Sequence, residues 1–305
     1  MRVLITGSSG QIGTNLALHL LARGHMVFGV DVRPNPWTDA FPTLLQDLAA
    51  PFSDFRGGLG HAPYPPDLDA VVHFAAHAKV HELVQQPARA LENVTMTFNV
   101  LEFCRQNGLP ILFSSSREVY GDIHRYLTDE THADFAFTES PYSASKIAGE
   151  ALIYSYAQCY DLRYLVFRFS NVYGRYDVDI ERMERVIPLF IRRIARGEPI
   201  TIYGERKVLD FTYVDDCVAS VTLGLERLVA MLAAAGQPAA EPAPHAYLIA
   251  VGDAPQRRGL ALAERWRDRL PARWPTRPST WPTAAATAWS RWPRRSARPW
   301  ASRPG

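Results

Sequence analysis

The sequence has few cysteines, almost no net charge and no long apolar run at its start, and each shortage removes a class of protein. Cys104, Cys159 and Cys217 are the only three cysteines among 305 residues. Their odd number and irregular spacing fit neither a disulfide framework nor a metal site, so they are predicted to be reduced thiols that pack as small apolar side chains. Lysine and arginine number 33 against 31 acidic residues, a formal charge of +2, and so no global field invites nucleic acid or an anionic membrane. The apolar run Met1–Thr6 is far too short for a signal peptide or a membrane span. These absences predict a cytoplasmic protein with no metal, no nucleic-acid partner and no membrane association. What is present supports a proper core: 47% of residues are hydrophobic, in a length suited to one large domain plus a smaller one.

The first sixty residues carry the clearest pattern. An apolar run over 2–6 predicts a strand and is followed at once by Gly7-Ser8-Ser9-Gly10-Gln11-Ile12-Gly13. Asn15 to Leu21 has helical periodicity and stops near Gly24, and a second strand, Met26 to Val30, ends on Asp31. Strand, glycine-rich turn, helix, strand and terminal acid together predict a dinucleotide site. One glycine serves the tight turn, one lets the backbone approach a pyrophosphate, and one lets helix and strand pack closely. The helix start offers free N–H groups and a positive dipole end to the phosphates. Asp31 can accept from ribose hydroxyls and would repel a 2′-phosphate, which selects NAD over NADP; Arg33, two residues on, softens that preference.

The Gly-x-x-Gly-x-x-Gly spacing resembles that of the extended short-chain dehydrogenase/reductases, the NAD-dependent epimerases and dehydratases of nucleotide sugars. The resemblance continues along the chain. Asp47-Leu48 matches an adenine-contacting position, and Val71-Val72-His73-Phe74-Ala75-Ala76 matches the strand that ends under the nicotinamide ribose. Asn93-Val94 to Glu102 matches a helix bearing a cofactor-contacting Asn, here Asn93. The resemblance implies an α/β fold, a Rossmann doubly wound parallel sheet, with a homodimer formed through the helices around Asn93–Leu101 and Tyr142–Tyr156.

A buried strand, Ile111-Leu112-Phe113, runs into Ser114-Ser115-Ser116, and Pro141-Tyr142-Ser143-Ala144-Ser145-Lys146 leads into a helix over Ile147 to Tyr156. Tyr142 and Lys146 are four apart and share one helix face. A tyrosine hydroxyl, with its pKa near 10, is a poor base at neutral pH. A neighbouring ammonium and a positive nicotinamide both favour phenolate, so the expectation is that Lys146 pulls Tyr142 down. The tuned Tyr142 would take the proton of a sugar hydroxyl while the carbon loses hydride. The resemblance gives the hydroxyl that holds the same oxygen as Ser116, with Ser114 facing the cofactor or the backbone.

The step after oxidation differs within the resembled family. Its dehydratases carry Thr-Asp-Glu where this chain has Ser116-Arg117-Glu118, so the acid that would protonate a departing hydroxyl is missing. Uronate decarboxylases carry Ser-Glu there, which Glu118 meets and Arg117 does not. A 4-epimerase needs no second acid, and 4-epimerisation of a nucleotide sugar is the leading expectation. Decarboxylation, dehydration and simple ketone reduction remain rivals, as does an NAD-binding protein that turns nothing over. Asn171, in Arg168-Phe169-Ser170-Asn171-Val172-Tyr173-Gly174, matches a residue that holds the sugar diphosphate. Arg182 and Arg185 lie in an unusually charged segment and could pair with a sugar carboxylate, which suggests a hexuronate such as UDP-glucuronate. Leu209 stands where the family has a diphosphate-binding Arg, so either Lys207 or Arg206 supplies that charge or diphosphate binding is weakened, and Asp215 and Asp216 are predicted to cap the next helix.

Residues 228–244 read as a helix end and an Ala/Pro-rich linker, and Ala246–Gly252 as one more family-like strand. Residues 255–305 then contain no Val, Ile, Phe, Tyr, Lys or Asn but hold six of the seven Trp. That break predicts an out-of-frame reading of GC-rich DNA; a basic, Trp-rich arm for nucleic acid or anionic surfaces is the rival reading. The expected organisation is an NAD-binding core over 1–170, rejoined by 208–254, substrate-lobe elements over 171–207, and an atypical tail over 255–305 that leaves the C-terminal lobe incomplete.

Overall fold

The structure, a computed structural model, describes residues 1–50, 67–121, 138–177, 185–202 and 209–235. Arg182, Arg206, Lys207, the strand expected over 246–252 and the 255–305 tail lie outside these residues. In chain order the elements are β1 (Arg2–Thr6), α1 (Gln11–Ala22), β2 (Met26–Asp31), β3 (Thr43–Leu45), β4 (Ala70–His73), α2 (Val80–Gln85) and α3 (Ala88–Asn107). β5 (Ile111–Ser116), a 3-10 turn (Arg117–Tyr120), α4 (Pro141–Tyr160), β6 (Tyr164–Phe169), β7 (Asn171–Tyr173), α5 (Val186–Ala195), β8 (Phe211–Tyr213) and α6 (Val214–Ala235) complete the order.

Six strands form one parallel sheet in the order β3-β2-β1-β4-β5-β6. The chain winds outward from β1 through β2 and β3, then returns to β4 on the other side of β1. This is the Rossmann doubly wound arrangement, and its crevice opens at the carboxyl ends of β1 and β4, where the winding reverses. Parallel strands covered on both faces need apolar residues in both directions. In β1, Val3 and Ile5 join a core with Leu16, Ala17 and Leu20 of α1 and Val218, Val221 and Leu225 of α6. Leu4 points the other way, toward Val100, Leu101 and Cys104 of α3 and Ile153 and Ala157 of α4. Cys104 and Cys217 are buried as expected, whereas Cys159 is exposed.

Several element boundaries differ from the sequence reading, among them the end of β4 and the start of α4. β4 ends at His73 rather than running to Ala76, because the Ala75 amide turns away to donate to the Thr6 hydroxyl at 3.2 Å. α4 starts at Pro141 rather than Ile147. Ser140 caps it by accepting from the Ser143 amide at 3.1 Å, Ser143 Oγ accepts from the Ser140 amide in return, and Pro141 fills the first position. Tyr142 therefore sits in a rigid first helical turn.

A separate two-stranded parallel sheet pairs β7 with β8, Asn171 opposite Phe211 and Tyr173 opposite Tyr213. Asp215 and Asp216 lie within the first turn of α6, favourable for its dipole. Asp215 also pairs with Arg175.

Candidate active site

Local sterics explain why two of the loop glycines must be glycine. Gly7 has φ +71°, and a Cβ on it would lie 2.7 Å from the Ala75 amide nitrogen. At Gly13 a Cβ would meet the Gly7 carbonyl oxygen at 2.2 Å. Gly10 is less crowded: a Cβ there would stand 3.3 Å from the same oxygen, which a shift of a few tenths of an ångström would relieve. Gly10 is also the N-cap of α1, and no side chain caps that helix. Gln11, Ile12 and Gly13 thus form an uncapped helix start of positive potential at the sheet's switch point, suited to a diphosphate.

Asp31 closes the adenosine side of this loop. Its carboxylate accepts from the Ser9 amide at 2.9 Å and from the Arg33 amide at 3.2 Å, while Ser9 Oγ donates to the Arg33 carbonyl. Asn35 ties the same stretch to α1 by donating to the Ser8 carbonyl and Thr14 Oγ1. Asp47 turns the chain by accepting from the Ala49 amide at 2.8 Å, and Leu48 is buried. Asn99 on α3 holds this segment by donating to the Leu48 and Ala50 carbonyls at 2.7 and 2.9 Å.

At the ends of β5 and α4 the structure brings Ser116, Tyr142 and Lys146 together, all three nearly buried. Ser116 Oγ accepts from the Glu118 amide at 3.2 Å and lies close enough to the Tyr142 hydroxyl to favour its phenolate. Lys146 Nζ donates to the Ser114 carbonyl at 2.7 Å and lies 5.7 Å from the centre of the Tyr142 ring. Ser114 therefore contributes its carbonyl to fixing Lys146. Ser115 points to the opposite side and bonds Glu150, which accepts from Arg168 at 2.9 and 2.7 Å. This buried pair sits one helical turn beyond Lys146.

The expectation that Lys146 draws Tyr142 toward phenolate is not met in the protein alone. Burial pushes Tyr142 up to about 12, with the Ser116 hydrogen bond opposing, Glu118 adding to the rise and Arg185 countering it. Burial likewise pushes Lys146 down to about 8, against the pull of Glu150. Desolvation penalises both charged forms more than the protein's own charges favour them.

Glu118 and Arg185 both lie near enough to act on the Tyr142 charge. Arg185 Nη1 donates to Gln11 Oε1 at 2.5 Å, to the Val172 carbonyl at 3.3 Å and to Asp177 at 3.3 Å. It joins the α1 start to the strand that leaves the sheet. Asn171 donates its amide to the Asp210 carbonyl at 2.7 Å, tying β7 to β8. Asn93 is buried: it accepts from the His77 amide at 2.8 Å and donates to the His77 carbonyl and Ser145 Oγ, both at 3.1 Å. Its amide group thus holds the Ala75–His77 segment.

Comparison with known proteins decides the family. A profile of the NAD dependent epimerase/dehydratase family matches residues 3–250. The chain belongs to that family. It is 33% identical over 240 residues to a dTDP-glucose 4,6-dehydratase of Mycobacterium tuberculosis, spanning 74% of this chain and 69% of that protein. It is 30% identical over 243 residues to a probable UDP-glucuronate 4-epimerase of Rhizobium meliloti, spanning 72% of this chain and 67% of that one. Among solved structures, UDP-glucose 4-epimerase of Thermotoga maritima with UDP-glucose matches with a TM-score of 0.65 at 29% identity, covering 74% of each chain. The NAD complex of Thermus thermophilus UDP-glucose 4-epimerase matches at 0.62 and 27% identity, covering 88% of this chain and 94% of that chain.

Members of the NAD-dependent epimerase/dehydratase family are enzymes, and NAD is the cofactor. The crevice fits it. A Cβ on Gly10 would meet one backbone oxygen at 3.3 Å and no other described atom within 4 Å, the α1 start is uncapped, and the Asp31 carboxylate stands at the end of β2. Among the described residues there is no cluster of three or more His, Cys, Asp or Glu placed to hold a metal ion, and no helix long and apolar enough to cross a membrane.

Sequence reasoning missed several residues that build this site. Asn15 is buried in α1 and donates to the Gln11 and Arg175 carbonyls, so the cofactor helix also holds the substrate-side loop. Polar residues on the buried face of a helix, such as Asn15 and Asn99, were the available signal. His73 and Thr97 carried no signal beyond their place in a strand and a helix.

Proposed function

We propose that this chain is a 4-epimerase of a nucleotide sugar, a UDP-hexose or a UDP-hexuronate such as UDP-glucuronate, working through a 4-keto intermediate. Its support is the arrangement of Ser116, Tyr142 and Lys146 at one end of the sheet, and the observation that carries it is Arg117. That residue stands between Ser116 and Glu118, where a dehydratase requires an acid for the departing hydroxyl. When bound, NAD supplies a reversible hydride acceptor and, oxidised, a positive charge. Tyr142 accepts the proton of the C4 hydroxyl, Ser116 holds the same oxygen, and Lys146 stays charged beneath them on the Ser114 carbonyl. The proton returns from Tyr142 after the ketone has presented its other face.

In this reading Gly7, Gly10, Gln11, Ile12 and Gly13 take the pyrophosphate and Asp31 the adenosine ribose. Asp47 and Leu48 bound the adenine, and Ala75, Ala76 and Ser114 border the nicotinamide ribose, with Asn93 setting their path. Glu118, Asn171 and Arg185 are assigned to the sugar nucleotide, as are Arg182 and Lys207 from their place in the sequence. Arg185 favours a uronate because its charge acts close to the Tyr142 hydroxyl, although in the ligand-free protein it is shared with Gln11 and Asp177. A cytoplasmic homodimer belongs to the same reading; Leu91 and Phe98 on α3 and Tyr154 on α4 are exposed apolar residues suited to such an interface.

The purified chain is tested with UDP-glucuronate, UDP-glucose and dTDP-glucose by NMR, with and without added NAD. The expected product is a 4-epimer and nothing else. Release of carbon dioxide from the uronate, or a 4-keto-6-deoxy sugar from dTDP-glucose, would replace this reading with decarboxylation or dehydration.

A further inference from the structure

The sheet's carboxyl edge contains a buried imidazole that the proposed mechanism does not use. His73 closes β4 and is 1% exposed. Its Nδ1 lies 2.7 Å from Thr6 Oγ1 and its Nε2 lies 3.3 Å from Thr97 Oγ1. The neighbours of these two hydroxyls decide which nitrogen carries hydrogen. Thr97 gives its single hydroxyl proton to the Asn93 carbonyl at 2.9 Å, so toward His73 it can only accept. Nε2 is therefore the donor. Nδ1 is then an acceptor and takes the Thr6 hydroxyl proton, while the Thr6 oxygen accepts from the Ala75 amide at 3.2 Å. A doubly protonated ring would place a second N–H against Thr6. Burial, together with the Lys146 charge, also holds His73 neutral, pushing it down to about 3.

The bonds thus run in one direction, from the Ala75 amide through Thr6, His73 and Thr97 to the Asn93 carbonyl. From Asn93 they continue on both sides. Its side chain grips the His77 amide and carbonyl, and it donates to Ser145 Oγ, which donates to the Tyr142 carbonyl at 2.7 Å. The Ala75 amide is thus held through Thr6 and the imidazole, and the His77 backbone by the side chain of Asn93, the residue on whose carbonyl the same series ends. The same chain reaches the first turn of α4, where Tyr142 stands.

We propose that His73, locked as the Nε2–H tautomer between Thr6 and Thr97, is a positioning residue that holds the Ala75–His77 backbone in register with Tyr142 for NAD binding. This rests on the reading of Ala75 and Ala76 as cofactor contacts. It assigns His73 no direct part in proton transfer. Neutral imidazole is required because it donates on one side and accepts on the other, which aligns every hydroxyl in the series.

The test uses the full chain. Two-bond 15N–1H spectra of the imidazoles, with the His73 signals assigned by their loss in His73→Asn, should show Nε2–H and no titration between pH 5 and 8. Thr97→Val removes the acceptor while keeping shape, and should weaken NAD binding by about tenfold, as expected when a buried donor loses its partner. Thr97→Ser should restore affinity. Thr95→Val removes a hydroxyl that also bonds the carbonyl one turn back on α3 but faces solvent, and should leave NAD affinity unchanged. An Nδ1–H tautomer, a titrating ring, or wild-type affinity in Thr97→Val would each overturn the proposal with the cofactor reading intact. If Thr97→Val does not fold, the wild-type imidazole spectrum and the affinity of Thr97→Ser still decide. Failure of the wild-type protein to bind NAD would instead remove the cofactor reading, and this proposal with it.

Discussion

Tyr142 shows how far a single side chain depends on what surrounds it. Its hydroxyl needs a base's pKa, yet burial against α4 and β5 pushes it up to about 12. Lys146 cannot offset this alone, because its ammonium is bonded to the Ser114 carbonyl and is itself penalised by desolvation, falling to about 8. In the proposed reading the further positive charge that favours phenolate is that of oxidised nicotinamide. Tyr142→Phe keeps the ring and its packing but removes the proton acceptor. The expected result is NAD affinity within a factor of about two of wild type and a loss of turnover of roughly 10²–10⁴-fold, the usual weight of general acid–base catalysis. Cofactor titration by fluorescence and product formation by NMR measure the two quantities separately. A variant that turns over at the wild-type rate would remove Tyr142 from the chemistry.

The loop before α1 shows how neighbouring glycines answer to different demands. Gly7 and Gly13 are required by the fold itself, since their missing side chains make room for the Ala75 backbone and the Gly7 carbonyl. At Gly10 a Cβ would stand 3.3 Å from that same carbonyl oxygen, a crowding that a small shift relieves, and in the proposed reading the diphosphate lies against this face. Gly10→Ala is expected to fold with stability within about 1 kcal/mol of wild type while binding NAD at least about tenfold more weakly. Gly13→Ala should lose about 1–3 kcal/mol of stability, the usual cost of overpacking. Urea unfolding and cofactor titration of both variants check this contrast; equal losses of stability would show that the two glycines serve one purpose. The loop was legible in the sequence because a phosphate-binding turn constrains consecutive residues. The polar bonds that tie α1 to the substrate side, Asn15 to Arg175 and Gln11 to Arg185, join positions about 160 and 174 residues apart and leave no local pattern.

At the scale of the whole molecule, two groups of polar residues beside the sheet, among the described residues, are gathered into bonded sets. Glu150 and Arg168 form one such set, bonded also by Ser115. The Thr6–His73–Thr97 series forms another, and it gives the fold a predictable acid sensitivity. His73 is lowered from 6.5 to about 3 in the folded state, so below pH 6.5 the unfolded chain binds a proton that the folded chain does not. Stability contributed by the neutral ring is complete above pH 6.5 and falls as pH drops toward 3. Between about pH 6.5 and 5 this one group should cost about 2 kcal/mol, from roughly 1.4 kcal/mol per pH unit. His73→Asn should show that much less acid destabilisation in urea midpoints measured at about pH 7 and pH 5. Parallel slopes for the two proteins would mean that His73 is protonated in the folded state.

The sequence by itself determined the periodic and local features: the alternation of strand and helix, the glycine turn before α1, the acid ending β2, and the pairing of Tyr142 with Lys146 on one helical face. Each of these is specified by residues within a few positions of one another, or by a repeat of hydrophobicity that any short window contains. Only the tertiary structure decided where β4 stops, that α4 begins with a Ser140–Ser143 capping box, that Asn93 grips His77, that Arg185 reaches Gln11, and that Tyr142 rises rather than falls in the protein alone. The physical reason is common to all of them: each depends on a directional hydrogen bond or on desolvation. Both are set by the three-dimensional surroundings of a group and not by its own type.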